Sequence, residues 1–153
     1  MKKMPIPLSL FLMIFIYPLR QAQEHHKITC PPAIEYGNRN QVTPASLKIS
    51  TVKGRVIAEG GTAAKDAAPV PACLGLFRED DHQLVASTTA DEKGRFEFES
   101  ISAGLYRLVV RDPQNAFCVA NVPLQIVRSQ RGKPLVIHLR PSGVDTCSYG
   151  DLK

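Results

Sequence analysis

Four histidines, four cysteines and a scatter of carboxylates are the residues of this chain that could do chemistry, and their spacing decides which kind. His25 and His26 are adjacent in a polar stretch. Neighbouring imidazoles do not hold an ion without further ligands, and no such set accompanies them. His82 closes the run Glu79-Asp80-Asp81-His82, which lacks the alternating acids and glycine of a calcium loop and reads as a solvated acidic turn. His138 falls at an outward position of an alternating segment and reads as a surface residue. Ser87, Ser100 and Ser102 have no G-x-S-x-G elbow and no histidine and acid set to activate them. Glu97 and Glu99 alternate with Phe96 and Phe98, so they form a solvated face. No catalytic, cofactor-binding or metal-binding residue is expected, and no cofactor.

The cysteines carry a different chemistry. Cys30, Cys73, Cys118 and Cys147 form no C-x-x-C pair, which argues against zinc and against a redox dithiol. An even count suits two disulfides, with three connectivities open. The expected pairing joins Cys73 to Cys118 within the domain and Cys30 to Cys147 between the tails.

An oxidising compartment is consistent with the N-terminus. Met1, Lys2 and Lys3 precede an apolar run from Leu8 to Leu19, closed by Pro18 and Arg20, which is the layout of a secretory signal. The run is shorter than the roughly 20 residues of a membrane span. An uncleaved anchor is the alternative, since Arg20 stands where a cleavage site prefers a small residue. Lys27, Ile28 and Thr29 before Cys30 do not make a lipobox. The formal charge of +5 is inflated by this leader: Lys2, Lys3 and Arg20 are three of 19 Lys and Arg, which leaves 16 against 14 acids. A net of +2 is no footprint for nucleic acid.

The elements that must position these residues are strands. Residues 23–50 are polar, broken by proline and glycine, and read as an irregular arm. From Thr51 onward, short apolar runs alternate with turn signals, the pattern of an all-β sandwich. Seven strands are expected, near 51–58, 70–78, 83–90, 95–99, 104–111, within 117–127, and at 134–140. On the second, Cys73, Gly75 and Phe77 share one face and Leu74 and Leu76 the other, with Phe77 assigned to the core. The expected core is Val56, Phe77, Phe96, Phe98, Tyr106, Leu108, Val110, Leu135, Ile137 and Leu139. Asp91 and Gly94 should make the tight turn of a hairpin, with Gly104 as a further turn residue.

In order, Gly54-Arg55-Val56, Pro69-Val70, the stretch Thr88 to Phe98, Ala103 to Val110 and Leu139-Arg140-Pro141 resemble the carboxypeptidase regulatory-like domain. The resemblance covers residues 51–141 and implies a seven-stranded, two-sheet Greek-key sandwich of the prealbumin-like (transthyretin-like) kind. The chain then divides into a signal peptide at 1–22, an arm at 23–50, the sandwich at 51–141 and a short C-terminal tail at 142–153. Leu74 and Leu76 depart from the family by placing bulk on a usually polar outer face, which the arm or a partner could cover. Cys73 and Cys118 are also extra to its pattern.

The resemblance implies a folding, spacing or interaction module without catalytic machinery. The expectation is a secreted or periplasmic/extracellular protein, not an enzyme. Its partner would be another envelope or extracellular protein, with no nucleic acid and no stable membrane span after signal removal. The alternative is a carbohydrate or cell-wall ligand-binding module, for which Tyr36 and Tyr149 are the only spare aromatics. A remote alternative is the transthyretin-like hydrolase, the same fold with converging histidines and an arginine. The ending Cys147-Ser148-Tyr149-Gly150-Asp151-Leu152-Lys153 lacks that enzyme's C-terminal pattern.

Overall fold

The computed structural model describes residues 29–30, 34–36, 46–60, 67–128, 132–141 and 148–153. The leader, His25 and His26, and Cys147 lie outside the described residues.

Ten strands make two sheets. They are β1 (Leu47–Ile49), β2 (Val52–Ala58), β3 (Ala68–Pro69), β4 (Ala72–Arg78), β5 (Leu84–Ala90), β6 (Arg95–Phe98), β7 (Gly104–Arg111), β8 (Ala120–Ile126), β9 (Leu135–Leu139) and β10 (Tyr149–Leu152). The first sheet runs β1-β8-β7-β4-β5, antiparallel except for β1 on β8. In the second, β10-β9-β2 are consecutive, and the far side of β2 is shared by β6 along its first half and β3 along its last two residues. β2 and β9 are parallel.

The seven expected strands are β2 and β4 to β9. Short β1, β3 and β10 are additional, and β1 and β10 carry the sandwich beyond the expected 51–141 bounds. The expected C-terminal tail therefore contains a strand.

Period-two burial builds the interior. Val52 and Val56 of β2, Phe96 and Phe98 of β6, Tyr106, Leu108 and Val110 of β7, and Leu135, Ile137 and Leu139 of β9 meet in one apolar cluster. Burying each large side chain there is worth about 1.5–3 kcal/mol. β4 differs from expectation. Leu74 and Leu76 point into this cluster, while Phe77 is buried on the opposite face. Six successive buried residues, Ala72 to Phe77, explain the swap: with both faces apolar, alternation carries no sign of which is inside.

Asp91 and Gly94 form a tight turn, but it does not close a hairpin. The Asp91 carboxylate accepts the backbone N–H groups of Lys93 at 2.9 Å and Arg95 at 2.8 Å, and Gly94 has a φ of 70°. The flanking strands then enter different sheets, β5 the first and β6 the second. Gly94 also accepts the Val56 N–H, locking the turn to β2. Gly104 opens β7 itself, opposite Ile126, and is not a turn residue. The buried Asp112 ends β7 by accepting the N–H groups of Gln114 and Ala116.

Candidate functional site

Two polar clusters gather the chemistry-bearing side chains. The first lies at one end of the second sheet's outer face. Leu139 holds the chain after β2 in place by accepting the Glu59 N–H, so the Glu59 carboxylate faces the end of β9. Glu59 Oε1 lies 2.6 Å from His138 Nδ1 and accepts the Tyr149 hydroxyl at 3.2 Å, while Oε2 accepts Arg140 Nε at 2.7 Å. The second ring nitrogen of His138 lies 3.3 Å from Asp151 of β10. Tyr149 stacks flat on His138 at 4.4 Å between ring centroids, and the Arg140 guanidinium lies over the Tyr149 ring, 4.8 Å from its centroid.

His138 is therefore not the surface residue expected; only 6% of it is exposed. Its outward position was read correctly, but Glu59, Tyr149 and Asp151 cover it from elements far away in the sequence. Burial alone would push the Glu59 carboxyl up. Hydrogen bonds from Arg140, His138 and Tyr149 outweigh that and hold it below its usual range.

The second cluster lies on the outer face of the first sheet. Cys30 is bonded to Cys73 of β4, which overturns the expected Cys73–Cys118 and Cys30–Cys147 pairing. The bond seats the arm on the sheet. Ile34 packs over Gly75, where an added Cβ would stand 3.0 Å from its methyl group. Tyr36 lies edge-on to Phe77 at 5.7 Å and flat against His82 at 3.8 Å, under the Arg107 guanidinium. Arg107 makes a forked ion pair with Glu79. That hydrogen bonding lowers the Glu79 carboxyl against the opposing pull of burial. The outer face expected from Leu74 and Leu76 is instead built from Phe77 and Gly75, and the arm covers it.

Cys118 is half-buried where its N–H meets the Arg140 carbonyl, and its own carbonyl accepts the Ser148 hydroxyl at 2.7 Å. Asp80 and Asp81 sit at an exposed turn, with Asp81 paired to Arg78 at 2.7 Å. The hydrogen bonds of His138 go to carboxylates and not to the serines considered as nucleophiles. Among the described residues no group of three or more His, Cys, Asp and Glu is arranged to hold a metal ion. Tyr36 and Tyr149, the spare aromatics for a sugar groove, are both stacked within these clusters.

Both His138 nitrogens face carboxylate oxygens, and Glu79 is occupied by Arg107. These are fastenings, one holding β10 and the loop after β2 to β9, the other holding the arm to the first sheet. Sequence reasoning missed Glu59 and Asp151; their only signal was charge in otherwise unremarkable segments.

Residues 50–135 match the family described as BOS complex subunit NOMO1-like, second beta sandwich domain. The chain belongs to that family. The match supports the expected kind of domain, a β-sandwich, and assigns it to the NOMO1-like second-domain family. It takes in β2 to β8 and Glu59, while His138, Arg140, Tyr149, Asp151 and the arm lie outside it. Neither a curated protein nor a solved structure matches the chain.

Proposed function

We propose that the chain is an exported, non-catalytic β-sandwich module that serves a structural or protein-interaction role outside the cytosol. The observation that carries the reading is the occupation of His138 at both ring nitrogens by Glu59 and Asp151, which turns the best catalytic candidate into a structural tie. Two features support the setting. The Cys30–Cys73 bond suits an oxidising compartment, and Lys2, Lys3 and the apolar run behind them suit export. The family description names a domain of a complex subunit, which favours assembly with another protein. The likeness to carboxypeptidase regulatory-like domains points the same way, toward a module that works beside something else.

The test is affinity capture of tagged full-length chain from the envelope and culture medium after cross-linking, alongside a panel of ester and amide substrates. The expected result is recovery of a reproducible protein partner and no turnover. Turnover by the natural protein that is lost in His138→Ala would overturn the reading.

A further inference from the structure

We propose that the outer face of the second sheet is a docking groove for an acidic, partly apolar segment of a partner protein. This deepens the interaction role proposed above and rests on it.

A groove of about 520 Å³ runs over β2, β6 and the start of β9 and borders the His138 cluster, with Ile57 opposite His138 and Val136 opposite Asp151. Lys53, Arg55, Arg95 and Lys153 line it against a single acid, Glu97. The whole chain carries 19 basic to 14 acidic residues, so positive charge is concentrated here well beyond the average. The arrangement is also unfavourable to the fold by itself. Arg55 and Arg95 are directly opposite each other on β2 and β6, and like charges at opposite positions destabilise a sheet.

Asp91 partly offsets Arg95, at 2.8 Å. Arg55, Lys53 and Lys153 have no ion-pair partner among the described residues. A carboxylate seated between the two guanidinium groups would accept hydrogen bonds from both and remove their repulsion.

The floor selects among anions. Ile57 and Val136, both half-buried and facing outward, put aliphatic surface between the cations. Phe96 is turned into the core and only 5% exposed, so no ring is presented for a sugar to stack on. Carboxylates interspersed with aliphatic side chains fit this surface, which is the chemistry of an acidic peptide.

The experiment uses the full chain with its disulfide intact and a fluorescent peptide in which Glu residues flank a central pair of Leu. The controls are the same peptide with Gln for Glu, heparin, and vesicles of phosphatidylserine and phosphatidylcholine. Anisotropy should show binding of the Glu peptide that weakens with added salt, and markedly less for the Gln peptide. Arg55→Ala should weaken it about fivefold, and Arg55→Glu with Arg95→Glu should abolish it.

Arg55→Glu alone relieves the cross-strand repulsion, so it should raise Tm by about 2 °C while binding is lost, which separates docking from folding. Equal binding of Glu and Gln peptides, binding unchanged in the double variant, or a response only to heparin or vesicles would each overturn the proposal. If a captured partner protein is retained by the double variant, the groove assignment fails while the interaction role stands.

Discussion

Glu59 Oε1 and His138 Nδ1 stand 2.6 Å apart although 79 residues separate them in the chain, and the other Glu59 oxygen holds Arg140. The Glu59 carboxyl titrates below its ordinary 4.5, since the hydrogen bonds it receives outweigh the upward pull of burial. Its folded value lies under its unfolded value, so the stability it contributes is complete above about pH 4.5 and is lost as pH falls through the folded value. Glu79, lowered by Arg107, adds to the same acid limb. Glu59→Gln should cost about 1–3 kcal/mol at neutral pH and flatten the acid loss. Urea unfolding as a function of pH checks both, and an unchanged acid limb would refute the assignment.

Opening the Cys30–Cys73 bond should free the arm. The bond spans 43 residues, and a loop of that size is worth about 4 kcal/mol in the chain-entropy picture. Cys30→Ser should lower Tm and raise amide exchange at Ile34 and Tyr36, with the core strands still protected. Peptide mapping without reduction should recover Cys30 linked to Cys73, and Cys118 linked to Cys147, the remaining pair of an even set. Ser148, next to Cys147, already donates to the Cys118 carbonyl. A thiol reagent that labels two sites on the unfolded, unreduced chain would contradict the second bond.

Gly54 of β2 lies opposite Leu135 of β9. A Cβ there would lie 1.8 Å from the Leu135 carbonyl oxygen, which is backbone and cannot swing away. Gly54→Ala should therefore destabilise by about 3 kcal/mol through forced separation of the two strands. Gly60→Ala, where a Cβ meets nothing within 4 Å, is the control and should stay within about 0.5 kcal/mol. Thermal melts of the two variants decide the matter.

Asn121 of β8 is 5% exposed, and among the described residues neither polar atom of its side chain finds a hydrogen-bond partner. Arg111 Nε shares that condition. Asn121→Leu, close in volume, should stabilise by about 1–2 kcal/mol because an unpaired buried amide is removed. A loss of stability in chemical unfolding would show that the amide has work to do in the folded chain.

The sandwich was readable wherever one face of a strand is wet. Arg95, Glu97 and Arg107 mark the outside of β6 and β7, so Phe96, Phe98, Tyr106 and Leu108 could only point inward. β4 hid its orientation because the arm buries the face that would otherwise have been polar. β1 and β10 were invisible for another reason. Three or four residues carry no periodicity, and what holds Leu47–Ile49 and Tyr149–Leu152 is pairing with β8 and β9. The site was less legible than the fold. Glu59, His138 and Asp151 come from a loop and two strands, and nothing local tells a solitary acid that it will meet a histidine.

The parallel pairing of β2 with β9 sets an order of events in time. A growing chain presents β2 long before β9 has been made, so one side of that strand waits for its neighbour through most of synthesis. The local β4–β5 pair has no such wait, and Cys30 and Cys73 both emerge early. Oxidation can thus pin the arm while the second sheet is still open. Closure then depends on the final segments, which places this chain among slow folders of milliseconds to seconds whose half-made edge needs shielding until the last strands arrive.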